Sequence, residues 1–229
     1  HDDGTIFFFF LIKETVRLAS GLDANNNLTK ASQMFALEVL SRFGERLSNF
    51  KKAEVRVVAT STLRVANNAA DFITIANKAL GFPIEVISGK EEARLVYLGA
   101  MHSLAYSDEK RLVVDIGGGS TEFVIGRGYQ PKILESVTMG CVSYTGRYFS
   151  NGQLSEVNFN NAILAARSKI QSMEHLFAKQ DWQIAVGTSG TAKTIYDMCV
   201  ENSLSDEITY EGMQALKRML IKTKSIKQI

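Results

Sequence analysis

Leu112–Gly126 reads LVVDIGGGSTEFVIG. Two apolar runs of strand length flank three glycines, with an aspartate before them and a serine and threonine after. A dinucleotide-binding fingerprint would need glycine where the chain has Glu122, and a helix where TEFVI reads as strand. The order is therefore strand, glycine turn, strand. A tight hairpin needs only one or two glycines. Three of them let the backbone N–H groups of Gly117, Gly118 and Gly119 surround an anion with no Cβ in the way. Ser120 and Thr121 add hydroxyl donors, and Asp115 at its strand end is placed to hold a metal through water.

Outward from the hairpin, strands and helices alternate, which argues for an α/β fold. Thr5 to Leu11 reads as an apolar strand, followed by the turn signal GLDANNN at Gly21 to Asn27. Leu28 to Phe50 carries helical spacing through Phe35, Val39, Leu40, Phe43 and Leu47. Glu54 to Ala59 reads as strand, Ser61 to Leu80 as helix, Ile84 to Ile87 as a short strand and Gly89 to Met101 as helix. The polar run Tyr106 to Arg111 (YSDEKR) is the expected linker, dividing domains at 1–106 and 107–229. Leu112 to Ile116 and Thr121 to Ile125 are strands. Phe159 to Phe177 reads as a long helix, Gln183 to Val186 as strand, and Thr191 opens another helix.

Three more segments carry polar groups at strand-to-helix junctions. Gly187 to Thr194 (GTSGTAKT) fails as a P-loop, because Ala192 stands where the second glycine belongs. Read instead as a loop opening a helix, it offers Ser189, Gly190 and Thr191 as phosphate ligands, or a plain connection with a threonine cap. In ATSTLR (Ala59 to Arg64), Thr60 or Ser61 can cap a helix, and Arg64 is either a surface arginine or a phosphate fork. In ISGKEEAR (Ile87 to Arg94), Ser88 and Glu91 have capping-box spacing, and Glu91 can also pair with Arg94. Glu92 suits the dipole of a first turn, and it is the carboxylate nominated as general base.

Composition sets the limits. The 229 residues are 45% hydrophobic and 22% charged, ordinary for a globular chain. With 26 basic against 24 acidic residues, no global field argues for nucleic acid or membrane binding. Cys141 and Cys199 form no C-x-x-C pair, so neither a disulfide framework nor a zinc site is expected. The longest apolar run, Ile6 to Ile12, is too short to span a bilayer. The chain reads as soluble and cytoplasmic, peripheral to a membrane at most. His1, His102 and His175 lie outside every glycine-rich or acidic motif, so no Ser–His–Asp set competes. Lys217 to Lys227 is basic and reads as a solvated helix face.

Taken together, VRLASGLD, VRVVATSTLR, IEVISGKEEARLVYLG, LVVDIGGGSTEFVIG, MGCVS and GTSGT resemble the exopolyphosphatase/guanosine pentaphosphate phosphatase (Ppx/GppA) family over nearly the whole chain. The resemblance implies an actin-like (ribonuclease H-like) ATPase superfold of two α/β domains with a cleft between them. It implies Mg²⁺-dependent removal of a terminal phosphate, with inorganic polyphosphate expected as the main substrate and guanosine pentaphosphate as the alternative. Glu92 matches the family's base, and Asp115 to Glu122 its phosphate hairpin, with Asp115 and Glu122 near metal and water. Arg64 matches its phosphate-contacting arginine. Family members carry a D-x-G-S-N-S hairpin before the first strand and continue past position 229. The chain is thus expected to be a fragment of a module that is homodimeric at full length. A non-catalytic polyphosphate or nucleotide sensor is the rival of another class. A sugar or acetate kinase on the same superfold is disfavoured by ISGKEEAR.

Overall fold

The computed structural model describes residues 11–178 and 182–228, so most of the expected strand Thr5 to Leu11 and all of Phe7 to Phe10 lie outside the described residues. The chain divides into two compact units between Ser88 and Gly89.

In the first unit, Asp23 organises the GLDANNN turn by accepting from the N–H groups of Asn25 and Asn27, both at 2.8 Å. Helix α1 (Lys30–Leu47) follows, its first turn capped by the Thr29 hydroxyl. Strands β1 (Val57–Ala59) and β2 (Ile84–Val86) pair in parallel, with Val57 opposite Ile84. Parallel neighbours need a crossover, supplied here by α2 (Ser61–Val65) and α3 (Ala69–Leu80). The continuous helix expected over 61–80 is thus broken at 66–68. There the Asn68 side chain leaves the helix to clamp Leu28, accepting from its N–H at 2.8 Å and donating to its carbonyl at 3.0 Å. Leu28, Ala36, Leu63, Phe72 and Ala76 close over this clamp as the core.

The second unit is a four-stranded sheet in the order β5-β4-β3-β6. It opens with α4 (Gly89–Ser103), followed by β3 (Lys110–Ile116), β4 (Thr121–Arg127) and β5 (Gln130–Val137). After these come α5 (Cys141–Tyr148), α6 (Glu156–Gln171), α7 (Glu174–Ala178), β6 (Ile184–Thr188), α8 (Ser189–Glu201) and α9 (Tyr210–Thr223). β3 to β5 are antiparallel, and β6 joins β3 in parallel. One face is covered by α4, where Ala93, Tyr97 and Met101 pack on Val113 and Val124. The other carries Ile125, Met173 and Phe177, with Leu112, Phe123 and Ile133.

This packing explains why the division precedes the polar linker expected at Tyr106 to Arg111. α4 is bonded by its apolar stripe to the second sheet, and Lys110 and Arg111 already belong to β3. No described helix is long and apolar enough to cross a membrane.

Candidate functional site

The β3–β4 hairpin closes where Gly117 N–H donates to the Ser120 carbonyl at 3.0 Å. Its other partners come from MGCVS, a stretch with no chemistry of its own to mark it. Cys141 N–H donates to the Gly117 carbonyl (2.9 Å), and Val142 and Ser143 N–H groups donate to the Gly118 carbonyl (3.0 and 3.1 Å). These are first-turn amides of α5, which lack partners inside their own helix. In a trans peptide the N–H points opposite its C=O, and no described peptide is cis. With the carbonyls of Gly117 and Gly118 turned to α5, the amides of Gly118 and Gly119 are turned away from it. Two consecutive amides directed to one side can receive an anion.

None of the three glycines needs a left-handed φ. The reason for glycine is room: a Cβ at Gly117 would lie 3.2 Å from the Ser120 carbonyl, and one at Gly118 3.3 Å from Val142 Cγ2. Gly140 is tighter, since its Cβ would fall 2.5 Å from Gly118 C and Gly119 N. Thr121 does not face an anion with its hydroxyl, which donates to the Met139 carbonyl at 2.7 Å and ties the hairpin to the same support.

Strand alternation sends Asp115 and Glu122, cross-strand partners in register, to the α4 face. Both are buried, as is Ser120. Glu122 Oε1 accepts from Ser136 Oγ on β5 at 2.8 Å. Burial pushes the Glu122 carboxyl above the ordinary carboxylate range. The Ser136 hydroxyl opposes this, the Glu92 charge adds to it, Ser120 opposes it and Asp115 adds to it. Glu92 in the first turn of α4 therefore shares one charged region with Glu122 and Asp115. The Lys90 to Glu135 ion pair (3.0 Å) fixes this end of α4 against β5. Glu91 is spent differently: Arg94 grips both its oxygens at 2.8 Å, the pairing expected at that spacing.

The second glycine segment meets the hairpin through β3. Asp115 lies opposite Thr188 in the parallel β3–β6 pair, and its Oδ1 accepts from Ser189 Oγ. GTSG is not the loop the sequence leads one to expect. β6 runs through Thr188 and α8 begins at once with Ser189, at a φ of 68° that non-glycine residues rarely adopt. Thr188 makes no side-chain cap bond, and a Cβ on Gly190 would meet nothing within 4 Å. The first-turn amides around Gly190 and Thr191 are accordingly open to an anion, at the carboxyl ends of adjacent strands.

Arg64 belongs to the first unit, in the five-residue helix α2, where its Nη1 donates to the Ile87 carbonyl at 3.1 Å. Thr60 precedes that helix without capping it by its side chain, so the expected cap is not formed there. Among the described residues no three His, Cys, Asp or Glu side chains are arranged to hold an ion directly. The raised Glu122 carboxyl beside Glu92 and Asp115 is a place where a cation could offset like charge.

This arrangement can be set beside known proteins. A Vibrio cholerae protein named guanosine-5'-triphosphate,3'-diphosphate pyrophosphatase is 41% identical over 95% of the chain and 44% of its own length. A solved exopolyphosphatase-like protein superposes with a TM-score of 0.75 at 28% identity, covering 82% of the chain and 59% of its own. The Aquifex aeolicus PPX-GPPA enzyme superposes with a TM-score of 0.72 at 24% identity, over 94% and 72%. The chain thus spans less than half the length of this curated relative. Its α/β fold is that of these structures, as the resemblance implied. The pattern of the Ppx/GppA phosphatase family matches residues 1–229, and the chain belongs to that family.

Proposed function

We propose that this chain carries the hydrolytic site of a phosphoanhydride hydrolase that removes the terminal 5′ phosphate of guanosine pentaphosphate. The observation that carries the reading is the convergence at one sheet end. Asp115 joins the hairpin strand to the α8 start through Ser189, and Glu92 stands in the same charged region. The choice of substrate follows the 41% identical relative, whose name specifies a guanosine nucleotide. This reverses the preference for polyphosphate, which keeps second place on the 28% likeness to an exopolyphosphatase-like protein.

The amides of Gly118 and Gly119 and the start of α8 receive the oxygens of the terminal phosphate. Asp115 and Glu122 would hold a hydrated Mg²⁺, which when bound neutralises phosphate charge. Glu92 aligns a water in line with the scissile bond and takes its proton as the water oxygen bonds to phosphorus. The anhydride P–O bond breaks, and its electron pair leaves with the shortened nucleotide.

Orthophosphate release by the full-length protein is the test, with guanosine pentaphosphate and long-chain polyphosphate compared in the presence of Mg²⁺. Faster release from the pentaphosphate is expected, and chelation should stop it. Faster release from polyphosphate would reverse the substrate and keep the mechanism. Binding of both without release would favour the sensor.

A further inference from the structure

The opposite end of the second sheet holds an arrangement that phosphate chemistry at the hairpin does not use. There β4 turns into β5 through Gly128, at a φ of 52°. The turn is pinned from below: fully buried Tyr97 of α4 donates its hydroxyl to the Gly128 carbonyl at 2.9 Å. A Cβ at Gly126 would lie 2.5 Å from that same ring. Above, Tyr129 stacks on His102 with centroids 4.4 Å apart and planes at 16°. Tyr106 meets Tyr129 at 5.6 Å and is 66% exposed. With Arg127, Lys132 and Asp108, the two tyrosines line a cavity of about 280 Å³.

Two exposed tyrosine rings, Tyr129 on the turn and Tyr106 in the segment after α4, are ringed by two cations and a carboxylate and present the chemistry a nucleotide takes. A base stacks on an aromatic face, and Arg and Lys receive phosphate. A carboxylate accepts from the N1–H and 2-amino groups of guanine, a donor pair adenine lacks. Asp108 is occupied by Arg127 at 3.2 Å, but both side chains are exposed, and such pairs open at little cost. A second source of positive potential lies beneath. Arg111 is buried, its Nε has no hydrogen-bond partner, and its charge acts on Tyr97 directly under the turn. No carboxylate pairs with it among the described residues.

We propose that this cavity is a second site, for a guanine nucleotide, the length of a seven-residue strand away from the hairpin, on the order of 20 Å. The base stacks on Tyr106, Asp108 reads its Watson–Crick edge, and Arg127 and Lys132 take the phosphate.

The test uses the intact protein with excess inorganic tripolyphosphate and Mg²⁺ to occupy the hairpin end, and measures binding of GMP and AMP. GMP should bind more tightly than AMP, and 8-azido-GMP should crosslink to the peptide carrying Tyr106 or Tyr129. Tyr106→Ala should weaken GMP about tenfold, the order expected for one lost stacking partner. Lys132→Gln should weaken GMP and leave guanosine unchanged, and Asp108→Asn should erase the preference over AMP. Absent GMP binding, binding indifferent to both Tyr106→Ala and Lys132→Gln, or a crosslink confined to 187–194 would overturn the proposal. No turnover enters these readouts, so they stand apart from phosphate release.

Discussion

Two glycine-bearing segments end adjacent strands of one sheet, and they are held in opposite ways. The hairpin Gly117–Ser120 is braced: three amides of α5 grip its carbonyls, and Gly140 lies so close that no Cβ fits. The Gly187–Gly190 junction is anchored at one edge only. A Cβ on Gly187 would press on Ala192 at 2.9 Å, whereas Gly190 borders open space, and the strained Ser189 is tied by its hydroxyl to Asp115. The hairpin backbone is fixed by its neighbours, whereas the junction is packed on one side and open on the other. Fixed donors stabilise charge without reorganising, which is the more valuable property at the reacting phosphate.

The largest expected effect breaks the braced side. Gly140→Ala places a methyl 2.5 Å from the hairpin backbone, with no flexible side chain to yield. Overpacking of this kind costs about 1–3 kcal/mol, and displacing the amides by an ångström should cost about 10²-fold in phosphate release. A midpoint and a rate both unchanged would show that the brace does not set the hairpin.

Asp115, where the two segments meet, faces Glu122, so the charge there can be tested by pH. The fold raises the Glu122 carboxyl, favouring its protonated form. That contribution to stability is present below the unfolded value and is lost as pH rises through the folded one. The melting temperature of Glu122→Gln minus that of the parent should therefore grow more positive from about pH 4 to about pH 8. A constant difference would remove the electrostatic account. The smallest effect belongs to the open side. Gly190→Ala, with space around it and no positive φ, should leave the melting temperature equal or raise it slightly, by about 0.4–1 kcal/mol of stability. Clear destabilisation would show that the junction is as constrained as the hairpin.

The hairpin and α4 were legible because each rests on local signals: glycines between two apolar runs, and a helical stripe. What escaped was tertiary. β5 (QPKILESV) begins beside a proline and alternates poorly, and it becomes a strand by pairing along β4. α5 contains Gly146 and β-branched residues, weak helix formers, and its first turn is completed by the carbonyls of Gly117 and Gly118, far back in the chain. GTSG looked like a loop because glycine is punctuation, yet Gly187 and Thr188 pair with Val114 and Asp115. The carboxylates of the site were nominated from spacing and resemblance. Their partners Ser136 and Ser189 were not readable as such, because register alone brings them into place. The Tyr106–Tyr129 cavity fell inside and beyond a stretch that reads as polar linker.

The central claim is that Glu92 does chemistry while its neighbour Glu91 holds Arg94. Phosphate release and thermal midpoint measured side by side for Glu92→Gln and Glu91→Gln in the full-length protein test it most directly. Glutamine keeps size and hydrogen bonding but takes no proton from water. Glu92→Gln should lose about 10²–10⁴-fold in turnover with substrate binding largely kept. Glu91→Gln should lose a half-exposed ion pair, about 0–1 kcal/mol, with turnover little changed. Turnover abolished by Glu91→Gln and spared by Glu92→Gln would contradict the account.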